Sequence, residues 1–389
     1  MAKAEKGPRS GGQRQGKATQ SPIPGPRPPS SLNTRRFIEA ASHVASWRRP
    51  LLVTHEKPDG DALGSLAAMR ALLQSQGLQP TALLFDIIPA RYELFRRFPA
   101  ISILGRDLQL SDLDAFDAVI VLDTCTYTQL RPLADWLRAA PKPKLAVDHH
   151  ATRDDLADFH LIDESAAATC LILYEWAIAA NWPIEANTAQ AMFIGMATDT
   201  GWFRHSNIDH RVLAAAADLV TRGVRPPELY EALYLRESAA RVRLQCAAVA
   251  TLELLAADRA AVMTLTRRAI ADAGATAADT EDIVNEPLRI ASVVASVLLV
   301  EDDNGEVRAS FRSKPPHEPR ASAHNLVRES VLAPIQPDID VAALAQTFGG
   351  GGHKRASGAR ITGSLDEVRG RIVDCLMERF AEADRSNPR

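Results

Sequence analysis

From about residue 35 to 225, short apolar runs alternate with stretches of helical period. This alternation constrains the fold more than any other feature, because it is the mark of a parallel sheet flanked by helices. The runs PLLVTH (50–55), TALLF (81–85), AVIVLD (118–123) and KLAVDHH (144–150) read as strands, and three of the four end in histidine or aspartate. In open α/β sheets ligands gather at the carboxyl ends of strands, near the point where the strand order reverses. Between the first two runs, ALGSLAAMRALLQSQG (62–77) puts Leu66, Met69 and Leu73 on one helix face and stops at Gly77. A second helix, over roughly 187–197, leads into ATDTGWFRHSN.

After Gly223 the pattern changes. A charged, Ala-rich helical stretch with a double proline at its head, 226–255, reads as a helical linker. RAAVMTLTR (259–267) reads as a strand, 290–313 as a hairpin turned at Asn304-Gly305, and the last helix opens with Ser364 and Glu367 in capping-box spacing. The expectation is an α/β chain: a parallel-sheet domain over 34–225, a helical linker over 226–255, and a second, smaller α/β domain over 256–385. Residues 314–338 carry five prolines and little periodicity, and read as a loop inserted in that second domain. A length of 389 residues suits two domains, each with its own core.

Residues 1–33 hold six Lys or Arg against one Glu, are rich in Gly, Pro, Ser and Gln, and contain no apolar core of a signal peptide. They read as a disordered basic tail. The formal net charge of -3 gives no global basic field for long nucleic acid and points to a small partner. Four cysteines, at 125, 170, 246 and 375, form no C-x-x-C pair, which argues against a thiolate zinc site or a disulfide framework and fits a reducing cytoplasm. The longest strongly apolar stretch, 290–300, falls well short of the roughly 20 residues a spanning helix needs, so no membrane segment is expected.

Candidate chemistry sits at the ends of elements. THEKPDGDALGS supplies His55, Asp59 and Asp61; VLDT supplies Asp123; VDHH supplies Asp148, His149 and His150; and GMATDTGWF supplies Asp199. Pro, Asp and Gly are the usual turn residues, and a lone Asp at an element end is ordinarily a cap. Four such sites in one α/β unit make independent caps a poor account. His55 and His149 with Asp59, Asp61, Asp123 and Asp199 form an oxygen-rich donor set with two imidazoles and no thiolate. That set suits hard or borderline divalent ions, Mn²⁺ above all, with Mg²⁺ or Co²⁺ as alternatives. Six ligands are too many for one open catalytic ion and suit two ions bridged by one aspartate, an arrangement used for cleaving phosphoester or phosphoanhydride bonds.

In the second domain, Gly349–Gly352 free the backbone to approach an anion, and His353, Lys354 and Arg355 follow immediately. A bare glycine run fits a flexible loop equally well; the helix before it (VAALAQTF) and the cations after it favour phosphate binding.

THEKPDGDALGS, VLDT, VDHH and ATDTG, in this order and spacing, resemble the four motifs of the DHH phosphoesterase superfamily. RASFRSK and DIDVAALAQTFGGGGHKRASG (338–358) resemble its DHHA1 associated domain, so the likeness covers about residues 36–380. The two-domain size is similar to that of the bifunctional oligoribonucleases and 3′-phosphoadenosine 5′-phosphate (pAp) phosphatases, the nanoRNases. The resemblance implies that His55 and Asp59 hold one ion, Asp61, His149 and Asp199 the other, and that Asp123 bridges them. It implies that His150 faces the scissile phosphate as donor or acid and that Asp148 orients a histidine. Arg312, Ser313, Gly350, Gly351, Gly352 and His353 would hold a substrate phosphate or nucleotide, although by itself Arg312 reads as a surface arginine.

The implied substrates are short single-stranded RNA or nucleotides, and the implied state is a homodimer. One departure concerns residues 314–338, which separate the RSK segment from the DV stretch that follows it closely in the family; it bears on substrate preference rather than on metal chemistry. A cyclic or linear dinucleotide phosphodiesterase and a polyphosphate or pyrophosphate hydrolase are the competing enzyme readings. A non-catalytic nucleotide sensor is disfavoured by the presence of all six donors.

Overall fold

The computed structural model describes residues 31–98, 101–205, 207–302, 305–315 and 337–386. Residues 1–30 of the expected tail, Asn304 of the expected turn, and residues 316–336 of the expected insert lie outside the described residues. The chain divides into two units, 1–236 and 237–389.

The first unit is built on a six-stranded sheet: β1 (Pro50–Val53), β2 (Thr81–Leu84), β3 (Ser102–Ile103), β4 (Ala118–Leu122), β5 (Lys144–Asp148) and β6 (Phe159–Ile162). All pairs are parallel, in the order β3-β2-β1-β4-β5-β6. The central strands read as unbroken apolar runs because both faces are covered. Leu51, Val53, Val119 and Val121 point into one core, and Leu52, Ile120 and Leu122 into the other. The four strands read from the sequence are all present; the short edge strands β3 and β6 carry too little pattern to be legible.

The helices are α1 (Ser31–Val44), α2 (Gly60–Ser75), α3 (Ala134–Ala139), α4 (Thr169–Ala179), α5 (Ala186–Asp199), α6 (His210–Thr221) and α7 (Pro226–Tyr234). Leu66, Met69 and Leu73 of α2 are fully buried as expected, and Gly77 takes a left-handed φ of 84° just past its end. The helix starts two residues earlier than its apolar period, because Asp59 caps it. Helix α4 escapes a sequence reading: it is apolar on every side and buried along most of its length, so it carries no stripe.

The segment expected as a linker is two helices. Leu229 and Leu233 of α7 join the core of the first unit, while Leu244 and Ala248 of α8 (Ala239–Ala250) pack in the second.

The second unit holds a mixed sheet in the order β11-β12-β10-β9-β8-β7. Its strands are β7 (Glu253–Leu255), β8 (Ala260–Leu265), β9 (Ala295–Glu301), β10 (Glu306–Ser313), β11 (Gly351–His353) and β12 (Ala356–Thr362). Helices α10 (Val341–Thr347) and α11 (Leu365–Ser386) cover one face, α8 and α9 (Arg267–Ala273) the other. The β9–β10 pair is antiparallel, as the hairpin reading requires. Ser364 and Glu367 form the expected capping box, the Ser364 amide donating to Oε2 of Glu367 at 2.9 Å.

Candidate metal centre

In the first unit β1 turns outward to β2 and β3 while β4 lies on its other side, so the strand order reverses between β1 and β4. Ligands bind at the carboxyl ends of strands at such a point. His55 stands two residues past β1, Asp123 directly after β4, and Asp148 closes β5.

Asp123 is 2% exposed and holds a left-handed φ of 61°, a conformation that Asp adopts more readily than most side chains. Its amide stays on the ladder, donating to the Val147 carbonyl at 3.0 Å. One carboxylate oxygen, Oδ2, lies 3.6 Å from His55 Nε2 and the other, Oδ1, lies 3.7 Å from His149 Nε2. Asp59 caps α2, its Oδ1 accepting from the amides of Asp61 and Ala62. Asp61 is fully buried and accepts from the amides of Thr169 (2.6 Å) and Cys170 (3.0 Å) at the start of α4. Asp199 ends α5, and its Oδ2 is 3.2 Å from His149 Nε2.

Two donor groups result, His55–Asp59–Asp123 and Asp61–His149–Asp199, and within each the candidate ligand atoms lie within 4.8 Å of one another. A third group, Asp123–His149–His150, overlaps them. All six residues read from the sequence as donors are therefore brought together from four separate chain segments.

The electrostatics suit a cation. Burial, then the charge of Asp199, pushes the Asp61 carboxyl up to about 7. Burial and four neighbouring carboxylates, Asp61 first among them, drive Asp123 well above the usual range. For His149, burial opposes the charged form, but Asp199 and Asp61 outweigh it and push the ring up to about 9.

The geometry of His149 is more direct. Its Nδ1 faces the Ala166 carbonyl at 3.2 Å, and since a carbonyl only accepts, Nδ1 carries a proton. Its Nε2 is buried with no directed hydrogen bond, yet faces carboxylate oxygens at 3.2 and 3.7 Å. A bare lone pair facing two carboxylates is repelled, so a proton or a metal ion between them is favoured here. The donor set, two imidazoles and four carboxylates, fits a divalent cation, whose charge would reverse the pKa pattern above.

Asp148 has no exposed surface and acts on its neighbours. Its Oδ1 accepts from the amides of His149 (2.7 Å) and His150 (3.2 Å) and from His150 Nδ1 (2.7 Å). That bond raises the His150 pKa and leaves its half-exposed ring turned outward. Trp202 and Phe203 pack against Phe193 and the first unit's core, and His205 is an exposed turn residue.

In the second unit, Gly351–His353 is the edge strand β11. A Cβ on Gly352 would lie 2.7 Å from the Ala356 carbonyl, so glycine is required for the strand to lie this close. Lys354 and Arg355 both pair with Asp338, which ties the 338–341 segment down. Ser313 is 6% exposed and its hydroxyl donates to the Ile339 carbonyl at 2.8 Å. Arg312 donates to its neighbour, the Phe311 carbonyl.

Sequence reasoning passed over Thr169. Its amide donates to Asp61 and its hydroxyl to Asp123 at 2.9 Å. The available signal is a threonine opening the apolar run TCLILYEW.

Residues 50–196 match the DHH family, N-terminal domain. They are similar to a DHH domain. The match spans β1, β4, β5 and the donors they carry, and most of the chain is similar to most of the length of its relatives. It is 28% identical over 341 residues to the bifunctional oligoribonuclease and PAP phosphatase NrnA of Thermus thermophilus, covering 85% of this chain and 90% of that protein. It is 25% identical over 321 residues to the protein of the same name from Bacillus subtilis, covering 82% and 90%. Among solved structures, an exopolyphosphatase-related protein from Bacteroides fragilis aligns with a TM-score of 0.76 over 90% of this chain and 96% of its own, at 21% identity, a likeness of fold. Among the described residues, no helix is long and apolar enough to cross a membrane.

Proposed function

We propose that this protein is a divalent-metal-dependent phosphoesterase that hydrolyses very short RNA to mononucleotides and removes the 3′ phosphate of pAp. The observation that carries the reading is Asp123, whose two carboxylate oxygens face His55 and His149, one from each of the two donor groups. The names of the relatives, oligoribonuclease and PAP phosphatase, supply the substrate class.

Two ions are proposed, Mn²⁺ foremost: His55 and Asp59 with one, Asp61, His149 and Asp199 with the other, and Asp123 shared. Bound divalent ions supply an activated water and neutralise charge on the phosphate. The chain's own residues then position and transfer. Asp148 holds His150 by its Nδ1, which leaves Nε2 free to give a proton to the leaving oxygen, and the bond to Asp148 stabilises the protonated ring that this step needs. In the second unit, the outward amides of β11, with Arg312 and His353, are assigned to a substrate phosphate, since an edge strand of glycines offers backbone donors at close range.

The test is a panel of pAp, RNA of two to five residues, cyclic di-AMP and polyphosphate incubated with the protein and Mn²⁺. Release of phosphate from pAp and of mononucleotides from RNA is expected, with activity lost in Asp123→Ala by more than the roughly 10–100-fold typical of removing an outer partner of a metal ligand. Turnover of cyclic di-AMP or polyphosphate alone overturns the substrate assignment; inactivity on the whole panel overturns the enzyme reading.

A further inference from the structure

One short segment, Asp163–Cys170, reaches three of the six donor residues. The Ala166 carbonyl fixes His149 by Nδ1, the amides of Thr169 and Cys170 hold the two oxygens of Asp61, and the Thr169 hydroxyl donates to Asp123 Oδ1. The segment is anchored from behind. Arg211 of α6 grips Glu175 of α4 with two bonds of 2.8 Å and reaches Asp163 (2.7 Å) and Ser165 (3.0 Å), while Asn207 donates to the Ala167 carbonyl. The bonds of this frame bear on where the donors point.

Thr169 is the pivot. A threonine in the first turn of a helix ordinarily turns its hydroxyl to nearby backbone. Here it reaches Asp123, 46 residues earlier in the chain, from a side chain with no exposed surface. The terminal torsion of an aspartate is soft, with broad wells rather than one sharp minimum. The Asp123 carboxylate must nonetheless keep one oxygen toward His55 and the other toward His149. A donor on Oδ1 sets that rotation, and the Thr169 amide holds Asp61 from the same residue, so one side chain and its own backbone register both donor groups.

We propose that Thr169 is a positioning residue for the metal centre, fixing the rotation of Asp123 so that it serves both donor groups; this rests on the metal reading above. Outer partners of metal ligands are typically worth 10–100-fold in metal affinity. Thr169→Val keeps the shape and removes the donor, whereas Thr169→Ser keeps the donor.

Calorimetric titration of metal-free protein with Mn²⁺, paired with thermal melts with and without Mn²⁺, tests the proposal. Thr169→Val is expected to bind Mn²⁺ about 10–100-fold more weakly and to lose most of the Mn²⁺-induced rise in melting temperature, with Thr169→Ser restoring wild-type affinity and the wild-type metal-free melt. Wild-type affinity in Thr169→Val overturns the proposal. So does a lowered metal-free melt in Thr169→Val with no rescue by Thr169→Ser, which makes the role one of packing. Wild-type protein that takes up no Mn²⁺ overturns the metal reading, and this proposal with it.

Discussion

At the scale of single residues, the DHH triplet divides into three tasks that share one carboxylate. Asp148 is buried and accepts three bonds on one oxygen, so it can neither leave nor turn. His149 is pinned on one nitrogen and faces the donor cluster with the other, and His150 is pinned on one nitrogen and free on the other. His150→Ala is therefore expected to lower kcat by about 10²–10⁴-fold, the range of a lost general acid, while Mn²⁺ affinity measured by calorimetry stays near wild type. An equal loss of Mn²⁺ affinity would make His150 a ligand instead. The three polar residues were legible as a cluster in the sequence and the family resemblance implied their separate tasks, but which ring nitrogen meets Asp148 and which meets the Ala166 carbonyl was not legible, because it depends on tertiary contacts.

At the scale of elements, the site depends on how closely α2 and α5 approach. A Cβ on Gly64 would lie 2.6 Å from the Ala191 carbonyl, and one on Gly195 would lie 2.5 Å from Asp61 Oδ1. Alanine would raise the helix propensity at either position, yet here it has no room. Gly64→Ala meets backbone rather than a movable side chain, and is expected to destabilise the protein by about 1–3 kcal/mol in denaturant unfolding. An unchanged or raised stability would show that the two helices separate without penalty. The strands β1, β2, β4 and β5 were legible because each is a bounded apolar run with both faces buried. Helix α4 was not, because uniform burial erases the period by which helices are recognised. Thr169 went unrecognised with it, since its role appears only once the start of α4 is set against Asp61 and Asp123.

At the scale of the whole molecule, the centre is expected to make stability a function of both pH and metal. The Asp61 carboxyl is raised from 3.8 to about 7 and the His149 ring from 6.5 to about 9. For a raised pKa the stabilising contribution is complete below the unfolded value and is lost as pH rises through the folded one. Metal-free protein is therefore expected to lose stability as pH climbs from about 4 to 7 through Asp61, and again from about 6.5 to 9 through His149. Mn²⁺ binds the deprotonated ligands, so the stabilisation it adds should grow over the same range. Thermal melts across pH with Mn²⁺ and with chelator would check both slopes; parallel curves would show that no ion uses these groups. By itself the sequence determined the α/β class and singled out six candidate donors with the ion chemistry they would suit, because residue type and position at strand ends are local properties. Only the tertiary structure decided that Asp123 faces both donor groups, that Ser313 is turned inward, that Lys354 and Arg355 pair with Asp338, and that Thr169 joins Asp61 to Asp123. Those outcomes rest on contacts between segments tens of residues apart, and the direction of a buried side chain is set by what packs against it.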